Sequence, residues 1–179
     1  QIEPMAEGTY DYYALSPVPA SVSGTTASYV IASEQNGRFD GRHDVMVATP
    51  VQGAGALQEG DNSEQVNFRF KHKVHVLKID IASNALGEPV EALELTFPRA
   101  VVGTMNIDLR DAGAAPSLTG GAVKLTLRPE QAVDAGSTLV AIIAPADFTT
   151  EEEIRIKAIS RNYESVEARM PGKSFAEGH

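Results

Sequence analysis

Four histidines and a scatter of carboxylates are the groups in this 179-residue chain that invite a chemical reading. His72 and His75 stand three apart, a spacing that on a helix would let two imidazoles share a face and chelate one metal ion. The residues around them alternate with a period of two, however, and on a strand positions three apart point to opposite faces. His72 then reads as a core-face histidine bonded to backbone, His43 as part of a charged loop and His179 as terminal. Asp40, Asp44, Asp61 and Glu64 are loop carboxylates without the Asp-x-Asp-x-Asp-Gly order of a calcium loop, so they read as solvated turn residues. Glu151, Glu152 and Glu153 are adjacent, and adjacent carboxylates diverge on a strand instead of working as an acid–base pair. Gly172-Lys173-Ser174 has the ending of a phosphate-binding loop, but Glu167 stands where its first glycine is required and no helix pattern follows. No Gly-x-Ser-x-Gly elbow occurs, and the absence of cysteine removes thiolate nucleophiles, thiolate zinc sites and disulfides together. No catalytic constellation, metal site or cofactor is expected. What remains is Tyr10, Tyr12 and Tyr13, rings that could stack on a sugar or pack against the fold.

The elements that must carry these residues are strands. In the run from Val66 to Val76, the side chains of Val66, Phe68, Phe70, His72, Val74 and Val76 fall on one face, and Asn67, Arg69, Lys71, Lys73 and His75 on the solvated other. Beyond Val76 the parity reverses to Leu77, Ile79 and Ile81, which predicts a bulge or bend near residues 76–77. Alternation or apolar runs also mark residues 9–15, 28–32, 44–49, 93–97, 105–109, 123–127, 138–144, 154–158 and 163–168. Helical signals amount to single turns at 129–133 and 149–153. Turn chemistry separates the strands, including Gly120-Gly121, and residues 50–64 read as a long mobile loop. Many short punctuated strands in one domain's length indicate an all-β sandwich or barrel. The charge count, 24 acidic against 15 basic for a net of −9, disfavours nucleic acid and anionic lipid as partners. No apolar run is long enough for a helical membrane span.

Several stretches, taken in order, resemble the fimbrillins of Bacteroidales, the subunits of cell-surface fimbriae. They are Gly8-Thr9-Tyr10-Asp11-Tyr12-Tyr13-Ala14, Asp44-Val45-Met46-Val47-Ala48, and Val66-x-Phe68-x-Phe70-x-His72 followed by Val74-x-Val76-Leu77-Lys78-Ile79. Ala135-Gly136 leading to Ala144-Pro145, and Pro171-Gly172-Lys173-Ser174-Phe175 near the end, continue the likeness.

The resemblance implies a transthyretin-like antiparallel β-sandwich with few or no helices, spanning residues 1–179 as a single N-terminal-type domain excised from a longer two-domain precursor. It implies a lipoprotein precursor whose signal peptide and lipidated cysteine lie outside these residues, and a place in the fimbrium at the outer-membrane surface. The expected partners are other fimbrial subunits, joined by a strand from one subunit filling a groove in the next. Val66, Phe68, Phe70, Val74 and Val76 are the expected groove lining. The alternative is a non-polymerising adhesin or tip subunit that holds a host glycan or protein through loops such as 50–64, with Tyr10, Tyr12 and Tyr13 as ligand aromatics.

Overall fold

The computed structural model describes residues 5–56, 66–165 and 167–178. Alternation builds its two larger sheets. In Thr26–Ile31 the side chains of Ala27, Tyr29 and Ile31 are buried, while Thr26 and Val30 face outward. This strand pairs antiparallel with Val102–Asp108 on one side and with Ser21–Ser23 on the other, and Ser117–Ala122 completes a four-stranded sheet. The second sheet runs in the order Ala168–Pro171, Glu153–Ile159, Ala92–Thr96, Lys124–Leu127 and Glu34–Gln35, antiparallel except for the last pair. Its inner face supplies Leu93, Leu95, Leu125, Leu127 and Ile154, all buried, and its outer face carries ion pairs such as Lys124–Glu94 at 2.6 Å. The two inner faces meet in one apolar core, where each fully buried aliphatic side chain contributes about 1.5–3 kcal/mol.

Gln35 extends the second sheet sideways. Its side-chain amide donates to the Ile142 carbonyl at 2.7 Å and accepts from the Ile142 N–H at 2.9 Å, as a neighbouring strand's backbone would. The Val140 N–H adds a bond to the Gly37 carbonyl. Through these bonds the two-stranded sheet of Thr138–Ile143 and His75–Asp80 is joined to the five-stranded one. Smaller sheets pair Thr9–Tyr12 with Val51–Gly55, Leu15–Ser16 and Phe70–His72 with Met46–Ala48, and Ala146–Asp147 with Ser174–Phe175. No α-helix occurs among the described residues, and the one helical element is a 3-10 turn, Gly41–His43, whose N-cap is the Asp40 carboxylate. Among the described residues no helix is long and apolar enough to cross a membrane.

Several expectations change. The run 66–76 is not one strand: it is strand over Phe70–His72 and again from His75, and the chain bends at Lys73-Val74, earlier than the predicted 76–77. Lys73, expected in solvent, is fully buried, and so is its neighbour Val74. Successive strand side chains cannot both point inward, so burying both requires the bend. The later set is as expected, with Leu77 buried, Ile79 and Ile81 half-buried and Lys78 exposed. Of the loop expected over 50–64, Val51–Gly55 is a strand, and residues 57–64 lie outside the described residues. Gly120-Gly121, expected to be a turn, lies inside Ser117–Ala122 at an irregularity of the ladder. A Cβ on Gly121 would sit 2.7 Å from Ala100 Cβ, so glycine here permits close backbone approach. Residues 129–133 form no helix, and of the described residues in the run expected at 163–168 only Ala168 lies in a strand, Ala168–Pro171.

Candidate functional site: open strand edges and an apolar trough

From Phe70 to Asp80 the chain makes two edge strands in succession. Phe70–His72 pairs only with Met46–Ala48, and His75–Asp80 only with Thr138–Ile143; neither has a strand on its other side among the described residues. An unpaired edge presents backbone donors and acceptors to whatever chain can lie beside it. Between the two strands the backbone is held inward by the Lys73 N–H bonding to the Val45 carbonyl at 2.8 Å and the Gly178 N–H to the Val74 carbonyl at 3.0 Å.

The expected groove lining does not share one face. Val66 and Phe68 are half-buried and precede the first edge strand. The Phe70 ring lies 6.4 Å from that of Phe68 and is 46% exposed, an unusual state for a residue expected on a core face. Val74 belongs to the sealed core, and Val76 is half-buried within His75–Asp80.

An open apolar trough of about 650 Å³ lies beside the end of the second edge strand. Ile79 and Ile81 form one wall; Leu93, Ile156 and Ala158, from the inner face of the five-stranded sheet, form the other. Alternation points these side chains inward, yet Ile156 and Ala158 remain half-exposed because no strand covers that part of the sheet. Asp80 stands on the rim with its carboxyl held below the usual carboxylate range, chiefly by the Thr138 hydroxyl donating at 2.6 Å and also by Lys78.

The other candidates fall elsewhere. Tyr10 and Tyr12 share one side of Thr9–Tyr12 with ring centroids 6.3 Å apart, and their hydroxyls donate to the Ala6 and Gly55 carbonyls at 2.9 and 2.6 Å. Tyr13 packs against the core instead. His72 is not a core-face residue: it is exposed and bonds Asp44 at 2.7 Å. The His75 Nδ1 bonds the Ala176 carbonyl at 2.9 Å, with its ring edge-on to Phe175. His179 lies outside the described residues. No group of three His, Asp or Glu side chains among the described residues could hold a metal ion. Sequence reasoning missed Lys73 and Gln35, whose roles depend on partners far along the chain; the one local signal was the parity reversal beyond Val76, three residues after Lys73.

Comparison with known proteins agrees with this architecture. A search among curated proteins gave no match. The profile of a family described as fimbrillin-like matches residues 4–179. Among solved structures the chain is similar to a crystal structure from Bacteroides ovatus, provisionally described as that of a cell adhesion protein, with a TM-score of 0.63 and 15% identity. The match covers 97% of this chain and 61% of that one, so this chain spans less than two thirds of that protein's length. At this identity the likeness is one of fold.

Proposed function

The chain belongs to the fimbrillin-like family, and from that premise we propose that it is a structural subunit of cell-surface fimbriae, a transthyretin-like sandwich that supports adhesion and joins its neighbours by strand addition. The observation that carries this reading is the pair of open edges from Phe70 to Asp80 with an uncovered apolar trough beside them. A strand from a neighbouring subunit laid along such an edge gains backbone hydrogen bonds, and its alternate side chains fill apolar pockets. Val66, Phe68, Phe70, Val74 and Val76 act in this reading as the lining and support of the accepting edge, with Phe70 the most accessible. The trough walls supply Ile79, Ile81 and Ile156, half-buried beside the already buried Leu93, and covering their remaining surface contributes about 25 cal/mol per Å² of apolar area.

The test is assembly. Phe70→Asp and Ala158→Glu are made separately in the full protein, and polymers are counted by electron microscopy and by size-exclusion chromatography. Loss of polymers with an unchanged thermal unfolding curve supports strand addition at this site. Polymers at the parent level in both variants would overturn it.

A further inference from the structure

The segment Gln35-Asn36-Gly37 joins the five-stranded sheet to the two-stranded one, and it contains an asparagine followed by a glycine. Gly37 has a φ of +74°, and a Cβ there would sit 2.8 Å from Leu139 Cδ2, so glycine is the residue that fits. Asn36 holds the turn with its side chain, whose Oδ1 accepts the Arg38 N–H at 3.1 Å. The bonds between the sheets stand on either side of it. Gln35 clamps the N–H and C=O of Ile142, and the Gly37 carbonyl accepts the Val140 N–H at 2.8 Å. Two anchors in the turn thus meet two anchors in Thr138–Ile143, and the match depends on the length of backbone between Gln35 and Gly37.

An asparagine followed by glycine can react with its own main chain. The Gly37 nitrogen and Asn36 Cγ become neighbours in a five-membered ring once they bond, and glycine has no Cβ to obstruct the approach. Three features of this turn favour closure. Asn36 is exposed, so water reaches the carboxamide and ammonia can leave. Among the described residues, neither the Gly37 N–H nor the Asn36 Nδ2 has a hydrogen-bond partner. The Arg38 N–H already bonds the oxygen that gains negative charge when Cγ is attacked, as an oxyanion-hole donor does. The other described asparagines lack this combination. Phe68, Ala85, Ile107 and Tyr163 follow them, and the side chains of Asn84, Asn106 and Asn162 are bonded to neighbours.

We propose that Asn36-Gly37 is a site of self-modification, placed where its product loosens the joint between the sheets. The Gly37 nitrogen loses its proton and bonds to Asn36 Cγ; the Cγ–Nδ2 bond breaks, and ammonia departs with that proton, leaving a cyclic imide. Water then opens the ring at either carbonyl. Opening at the side-chain carbonyl gives aspartate. Opening at the backbone carbonyl gives isoaspartate, with one extra carbon in the main chain and the former backbone carbonyl now a carboxylate. One water replaces one ammonia, and nothing is oxidised or reduced. The extra carbon puts Gln35 and Gly37 out of step with Ile142 and Val140, in the sheet that carries the His75–Asp80 edge. The chemistry does not depend on the fimbrial reading.

The full chain is aged in mildly alkaline buffer, digested, and followed by mass spectrometry with fragmentation that separates isoaspartate from aspartate. The peptide holding Asn36 should convert faster than those holding Asn67, Asn84, Asn106 and Asn162 by about tenfold or more. In the aged protein, hydrogen exchange at the Val140 and Ile142 amides should accelerate by about tenfold as their acceptors shift. Asn36→Ser keeps an oxygen for the Arg38 N–H and cannot form the ring, so it should age with neither change. Conversion at Asn36 no faster than at the other asparagines, or aspartate as the sole product, would overturn the proposal. So would isoaspartate at position 36 that leaves exchange at Val140 and Ile142 unaltered, or an acceleration equally present in aged Asn36→Ser.

Discussion

The Lys73 ammonium lies 2.9 Å from Glu177 Oε1 and 3.0 Å from Oε2, at the end of a side chain with no exposure to solvent. It also donates to the carbonyls of Ala114 at 2.9 Å and Ala112 at 3.1 Å. One amine thus ties the bend between the two edge strands to a turn at 111–114 and to the segment that carries Phe175. Desolvating an ammonium costs several kcal/mol, so it is tolerated only where every proton finds an acceptor. The arrangement fixes where three distant segments meet more than it adds net stability. The same segment is held by the Phe175 ring, 6.0 Å from both Phe97 and Phe148.

Removing one partner of this pair should cost more than removing the charge. Glu177→Gln leaves a buried ammonium facing carbonyls and an amide, and is expected to lower the unfolding free energy by about 2–3 kcal/mol, the residual exposure of Glu177 moderating the loss. Lys73→Met, which fills a similar volume without a charge, should cost less. Urea denaturation of the two variants decides the order, and the reverse ranking would show that Lys73 is not held as a buried cation.

Gln35 is expected to matter through its side chain alone. Gln35→Leu removes both bonds to Ile142 and leaves that residue's N–H and C=O unmatched, a loss of about 1–3 kcal/mol. Hydrogen exchange at the Ile142 amide should accelerate beyond what the global change explains. Unchanged exchange there would mean that the two sheets are joined some other way.

Two Asp–Arg pairs set an acid dependence. Hydrogen bonding from the Arg110 side chain holds the Asp108 carboxyl at about 2, and Arg42 does the same for Asp40, against an ordinary value of 3.8. A carboxylate depressed in the folded state stabilises the fold above its unfolded value and loses that contribution as the pH falls through the folded one. Denaturation midpoints of Asp108→Asn and the parent protein should therefore differ by a constant amount above pH 3.8 and converge as the pH falls to about 2. A gap that persists at the acid end would assign the effect to packing instead of charge.

Gly172 is expected to tolerate no side chain. A Cβ there would sit 2.6 Å from Phe148 Cβ and closer still to the Thr149 carbonyl oxygen, and neither can yield without moving backbone. Gly172→Ala should cost about 1–3 kcal/mol, read as a fall in the denaturation midpoint. An unchanged midpoint would mean that the Ser174–Phe175 strand is free to shift.

The sequence by itself determined the class of this protein and most of its strands. Runs such as Leu93-Glu94-Leu95 and Leu125-Thr126-Leu127 place every second residue in the core because the pleat has a period of two, and that information is local. The ordered motifs determined the family for a similar reason, since each is read along the chain. What only the tertiary structure decided is everything that requires two distant segments at once. No local pattern could bury Lys73, because its acceptors lie 39 to 104 residues away. None could turn the Gln35 side chain into a strand partner for Ile142, or leave Ile156 and Ala158 uncovered. Alternation states which face of a strand is apolar; whether that face is sealed, open or waiting for another chain depends on which strands lie next to it, and that order is set by long-range pairing.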